Sequence, residues 1–320
     1  AFNMYNSIYK NISVFIFLIV SFFIFPKQLF ATHAAGGEIT YQWISGSTYR
    51  INFIFYRDCA GTSEPANVTL AYSSNCTPSF CSTIVLNKAA TSSSGALNGT
   101  EISIGCPNSP SRCVSATSTI PGYREWVYTA NVTLPSQCSI WKFYTCVNAR
   151  NNAINNLVTP GNQNLYVEAT LNNLVAQGNS SPFFANKPTP YVCTGTPLNY
   201  SNVAIDPNND SLVYDIIQPR TANTATATCT TVPTNINFSS TIYNLTTNPL
   251  DCNNSFTFNP TNGQMSFTAT NQQVAALTAR VREYRNGVLI GSIIRDIQVI
   301  VRNCINSISC LLYTSDAADE

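Results

Sequence analysis

Charge is what this chain has least of. Only 10% of its 320 residues are Asp, Glu, Lys or Arg, against about 25% in an ordinary soluble protein. Sixteen basic residues nearly balance fifteen acidic ones, for a formal net charge of +1. An electrostatic nucleic-acid binder needs a concentrated basic face to displace counterions from phosphates, so that class is excluded. Histidine occurs once, as His33. A Ser-His-Asp triad would have to use it as the base, and a His-rich zinc site is ruled out. CxxC knuckles are absent too, and no second pair or His matches Cys76 and Cys81. Lys and Glu are scarce beside plentiful Asn, Ser and Thr, which is a surface for strands and loops rather than for solvent-facing helices. Beyond residue 31 no apolar run reaches spanning length, so no membrane span is expected in the mature chain.

What is present is enough to build cores. Hydrophobic residues make up 44% and aromatic residues 11%, too much for a disordered chain. The length leaves room for about two domains. Near the start, Met4 reads as the initiator, with residues 1–3 as upstream translation. Lys10 supplies a positive flank, and Ile12 to Phe25 is a dense apolar run closed by Pro26. As a helix that run is about 21 Å long, short of a hydrocarbon core of about 30 Å. It reads as a secretory signal peptide over residues 1–31, cleaved after Ala31 or, second, after Ala34. The opposite end, CLLYTSDAADE (310–320), looks like a sequencing-library adapter read in frame. Residues 304–309 then begin a lost downstream region.

Twelve cysteines in an exported chain read as disulfide-bonded. Spacing makes Cys76–Cys81, Cys106–Cys113 and Cys229–Cys252 plausible short-range pairs, while Cys193 and Cys304 sit near the two ends of a candidate domain. A bridge closing so long a loop is worth roughly 4–5 kcal/mol in the chain-entropy model. Without Cys310 the count is odd, which leaves either a free thiol or a partner further on.

Strand follows strand along the chain. Glu38–Ile44 and Tyr49–Tyr56 alternate around Ser45-Gly46-Ser47-Thr48, and Tyr49, Ile51, Phe53 and Phe55 share one face. That pattern is a hairpin with one side buried. Similar runs recur at Val68–Tyr72, Ser82–Leu86, Glu125–Leu134, Ile140–Val147 and Leu165–Leu171. Asn179-Ser180-Ser181-Pro182 reads as a linker. After it come Leu212–Ile216, Phe256–Phe258, Met265–Thr268, Val274–Val281, and runs at Arg280–Arg285 and Val288–Val301 flanking Asn286-Gly287, a strong hairpin signal. The expected fold is all-β, with two tandem β-sandwiches over residues 32–180 and 181–303.

Several strings carry a resemblance. Asp206-Pro207-Asn208-Asn209-Asp210 before a strand and FNPTNGQMSFT make the second unit resemble a cadherin-like, immunoglobulin-type repeat. THAAGGEITYQWISG, YRINFIFYRDC, YTANVTLPSQCSIWKFYTC with ARNNAINNL, and REYRNGVLIGSIIRDIQV are similar to the amino-terminal region of large secreted Bacteroidetes surface proteins. Those often end in a gliding-motility-associated sorting domain read by the type IX secretion system. The family often has Cys-Cys-Arg-Asn where this chain has Cys146-Val147-Asn148-Ala149-Arg150-Asn151, a departure that can explain the odd cysteine count. In a bacterial chain the Asn-x-Ser/Thr triplets at Asn67, Asn131, Asn199 and Asn244 are expected to be unmodified. Asp210-Ser211-Leu212 resembles a short O-glycan acceptor of the same group.

Chemistry has few candidates. Asp206, Asn208 and Asp210 alternate through one turn and could aim oxygens at calcium, though three residues are half a site at most. The alternative is a polar turn whose side chains cap the local backbone. Arg57 and Asp58 suggest a structural ion pair at a strand end. No acid-rich motif singles out a glycosidase pair among Glu38, Asp58, Glu64, Glu101, Glu125 and Glu168. Trp43, Trp126 and Trp141 could form a sugar platform or pack in a core. The expectation is a non-enzymatic surface protein with no catalytic residues and no cofactor beyond calcium. Its expected partners are the export machinery and other surface proteins or extracellular polysaccharide. The rival is an extracellular carbohydrate-active enzyme or its binding module.

Overall fold

Alternating apolar and polar residues become strands almost everywhere in the computed structural model, which describes residues 34–102, 110–188 and 191–304. The segment read as a signal peptide, His33, Cys106 and the tail beyond Cys304 lie outside the described residues. The first half carries β1 (Ala34–Ser45), β2 (Thr48–Asp58), β3 (Asn67–Ser74), β4 (Phe80–Lys88), β5 (Tyr123–Thr133), β6 (Trp141–Val147) and β7 (Leu165–Leu171). Shorter pieces follow: β8 (Phe183–Phe184), β9 (Tyr191–Cys193), β10 (Pro197–Ser201), β11 (Ala204–Ile205), β12 (Ser211–Ile217), β13 (Arg220–Ala222), β14 (Pro233–Asn235), β15 (Thr257–Phe258) and β16 (Gln264–Thr268). Two long strands close the chain, β17 (Gln273–Arg285) and β18 (Val288–Arg302). The fold is all-β, as the alternating runs predict. Asn286 (φ 52°) and Gly287 (φ 80°) supply the two positive φ values that the tight β17–β18 turn needs.

Eleven strands belong to one sheet, whose main path runs β1-β2-β5-β4-β3-β6-β7-β18-β17-β12. One edge of β18 pairs in succession with β7 at Gly291–Ile293, with β1 at Arg295–Ile297 and with β9 at Ile300–Arg302. Its other edge pairs with β17 over nearly its whole length. The layer β1-β2-β5 and the layer β4-β3-β6-β7 therefore both meet β18. They meet again where Asn87 and Lys88 pair with Thr129 and Tyr128. Between the layers lies a core of Ile39, Tyr41, Ile51, Phe53 and Phe55 against Leu70, Trp141, Phe143, Val167 and Leu171. Tyr41 and Phe143 touch across it with ring centroids 5.7 Å apart.

The expected split into two sandwiches at residues 179–182 is corrected by this pairing. The described residues from 34 to 304 fall in one compact unit. The strand β18 comes from the far end of the sequence, yet it completes the sheet begun by β1. Buried charges reinforce the join. Arg295 on β18 holds Glu38 on β1, with Nη2 to Oε1 at 2.9 Å. Asp296 takes both arms of Arg150, each at 2.7 Å. A second core packs on the other face of the first layer, where Ile54, Tyr56, Tyr123 and Val127 meet Phe256, Met265, Phe267, Leu277 and Val299. The strand β2 is thus buried on one face at Tyr49 and Ile51 and on both faces from Phe53 to Tyr56. The segment read as a linker runs beside β1 instead: Ser181 N donates to Tyr41 O at 2.8 Å, and Tyr41 N donates back to Ser181 Oγ at 3.0 Å.

Among the described residues, disulfides join Cys59–Cys113, Cys76–Cys138, Cys81–Cys229 and Cys193–Cys304. The short pairs Cys76–Cys81 and Cys229–Cys252 are not formed, and Cys113 is joined to Cys59 rather than to Cys106. The sheet explains the first case. The strand β3 has β4 on one edge and β6 on the other, so Cys76 at its end meets Cys138 ahead of β6. Cys81, on β4, reaches across to Cys229, 148 residues away. Cys146 and Cys252 are free and buried. Burial pushes the Cys146 thiol up to about 12. Disulfides of this kind form and persist in oxidising compartments. Among the described residues no helix is long and apolar enough to cross a membrane.

Candidate functional site

The turn before β12 and the end of β17 meet at one buried cluster. Asp206 Oδ1 accepts the backbone N–H of Asn208 at 2.8 Å and of Asp210 at 2.9 Å, which is the capping half of the expectation. Asn209 takes the left-handed conformation that this turn requires, with φ 61°. Asn208 Oδ1 accepts the N–H of Ser180 at 2.9 Å. Asp210 lies in a two-pronged clasp with Arg285, at 2.8 Å from Nε and 2.6 Å from Nη2. The fold also brings in Glu283. The ligand atoms of Asp206, Asp210 and Glu283 all lie within 4.8 Å of one another.

Glu283 is set by local strand geometry. A register shift separates Glu283 from Tyr284, so Glu283 faces Gly291 while Tyr284 faces Leu289. Such a bulge re-aims a side chain. The carboxylate is fully buried, and its Oε1 accepts Asn179 Nδ2 at 2.8 Å. Asn179, also fully buried, uses its Oδ1 to accept Arg285 Nη2 at 2.7 Å. Close approach fixes the residue opposite. A Cβ on Gly291 would stand 2.6 Å from Tyr41 Oη and 2.7 Å from Glu283 Oε2.

The electrostatics of this cluster are unbalanced. Three carboxylates face one guanidinium. Glu283 Oε2 and Asp206 Oδ2 are buried with no hydrogen-bond donor. Burial, with Asp206 and Asp210 adding to it, pushes the Glu283 carboxyl up to about 9 against the opposing Asn179 hydrogen bond. Burial, with Glu283 adding to it, also raises the Tyr41 hydroxyl well above its ordinary range.

The other sequence candidates are structural. Arg57 and Asp58 do not pair, since neighbouring strand residues point to opposite faces. Arg57 donates to the carbonyls of Thr62 and Gly61, and Asp58 accepts from Ala60 N and Asn151 Nδ2. Glu38 is held by Arg295, Glu64 by Lys88, Glu125 by Lys187, and Glu168 by Lys142 and Arg220. Glu101 accepts the Ser111 hydroxyl. Trp141 is fully buried in the core, Trp126 packs under Lys88, and Trp43 is exposed. The three indoles therefore form no shared platform. A small cleft beside Tyr56, Ile102 and Tyr123 has room for about one water molecule.

Exposed apolar residues gather at the same end of the molecule as the acidic cluster. Antiparallel register places the ends of β1 and β7 beside the β17–β18 hairpin. Trp43, Ile44, Leu174, Val175, Val288 and Leu289 are all exposed there. No family model, curated protein or solved structure matches the chain.

Proposed function

We infer that the chain is the amino-terminal part of an exported, non-enzymatic surface protein, a display module that adheres through the apolar rim around Trp43 and Leu289. The rim carries the reading. Scattered exposed apolar residues are ordinary, but a group at one end of a rigid sheet is the mark of an interaction surface. It sits on loops and hairpin ends held by a closed two-layer frame, the usual arrangement for binding residues. The acids of the first half are engaged by cations and donors, which supports binding over hydrolysis. The resemblance to type IX-exported surface proteins supplies the route, and the disulfides fit an extracellular destination.

Beads coated with the mature fragment test this reading on surfaces bearing polysaccharide, protein or the fragment itself. Retention on at least one surface is expected, falling several-fold with Trp43→Ser and Leu289→Ser together. Release of new reducing ends from a polysaccharide would establish the carbohydrate-active enzyme instead.

A further inference from the structure

The cluster of Asp206, Asp210 and Glu283 is built for something with positive charge. We propose that it binds one hard divalent cation, with calcium the best fit, through Asp206 Oδ2 and Glu283 Oε2 and with Asp210 as the third carboxylate. Three observations converge on this site. The first is an incomplete set of partners. Each of the two buried acids spends one oxygen on the protein, Asp206 Oδ1 on two backbone N–H groups and Glu283 Oε1 on Asn179. The other oxygen of each is buried with no donor. An unpaired carboxylate oxygen in a dry site is costly unless a cation or proton meets it.

The second is size. Calcium sits about 2.3–2.6 Å from its oxygens, so oxygens on opposite sides of the ion are roughly 4.6–5.2 Å apart. Ligand atoms mutually within 4.8 Å fit one ion among them. The third is charge. Three carboxylates less the Arg285 guanidinium leave an excess of two negative charges when all are ionised, which one divalent ion cancels. Arg285 does not approach the free oxygens, because Asp210 and Asn179 hold it. Asn208 Oδ1 accepts from Ser180 and both Asp210 oxygens accept from Arg285, so the carboxylate oxygens of the cluster with no partner are Asp206 Oδ2 and Glu283 Oε2. Bound there, the cation would cross-link the 206–210 turn and the β17 bulge. The rival occupant is a proton shared between Asp206 and Glu283.

The test uses the full mature chain after chelation. Titration calorimetry with calcium, and separately magnesium, should give one site per chain. The melting temperature should rise by several degrees between zero and about 10 mM calcium, in the range of extracellular modules. Two near-isosteric variants, Asp206→Asn and Glu283→Gln, should lose both the heat and the shift. In Asp206→Asn the new amide can donate to Glu283 Oε2, so its melting temperature in chelator should equal or exceed that of the wild type. That outcome separates a lost ligand from a damaged fold. Absence of binding and of any shift up to about 10 mM with either ion would overturn the proposal in favour of the shared proton. A shift that survives in both variants would overturn it by placing the ion elsewhere.

Discussion

Gly291 shows how little room a single position can leave. Its φ is ordinary, so conformational freedom is not the reason for glycine there. The reason is space: the Tyr41 hydroxyl, the Glu283 carboxylate and the Thr170 carbonyl all lie within 3.1 Å of where a Cβ would be. Tyr41 is itself buried and donates to Thr170 O at 3.1 Å, so it cannot swing aside without losing that bond. Gly291→Ala is expected to cost about 1–3 kcal/mol, the usual range for overpacking. Urea unfolding should show a lower midpoint with an unchanged slope. An unchanged midpoint would mean that the contact relaxes freely. Glu283 faces Gly291 across the ladder, and it was legible in the sequence in one respect. It falls at the parity of Ala279 and Val281, the buried face of β17, where an acid is out of place. Asp206 and Asp210 were visible from their spacing. Their meeting with Glu283 was not, because it depends on a strand more than seventy residues further along.

Strands as elements were readable because period 2 is a local property, and nearly every expected run lies inside an observed strand. Partner choice was not readable. The pairing of β1 with β18 spans more than 250 residues, and no turn between them announces it. Spacing along the chain says nothing about which strand ends adjoin, so Cys76 and Cys81 pair with Cys138 and Cys229 rather than with each other. The segment read as a linker, 179–182, is a polar stretch whose side chains hydrogen-bond to β1 and β17. Ser180 Oγ accepts Trp43 N at 3.0 Å, and Ser181 pairs with Tyr41. A segment tied this way opens reluctantly. Limited digestion with a non-specific protease is expected to cut first in exposed loops such as 93–97, where Leu97 is 79% exposed, and to spare 179–182. Early cleavage at 179–182 would restore the two-domain reading.

At the scale of the whole molecule, the two cores share strands. The layer β1-β2-β5 buries one face in each core, and β18 with its arginine and aspartate anchors both halves. Breaking a buried pair such as Arg150–Asp296 by removing one partner costs about 3–5 kcal/mol, so neither half can lose the other cheaply. Heat should therefore unfold residues 34–304 in one cooperative transition, with calorimetric and van't Hoff enthalpies equal. Residues 32–180 expressed alone should lack fixed tertiary structure by near-ultraviolet circular dichroism. Two resolved transitions, or a folded fragment, would contradict the shared architecture.

The position of β18 also sets a timetable. Ribosomes add about 5–20 residues per second, so roughly ten to fifty seconds separate the emergence of β2 from that of β18. Until β18 arrives, β1 and β7 lack the strand on which both layers close, and Glu38 and Arg150 have no Arg295 or Asp296 to meet. Long-range closure of this kind is slow for a second reason, because the loop entropy falls due before any contact rewards it. The two layers consequently cannot close on each other through β18 until nearly the whole described chain has been made.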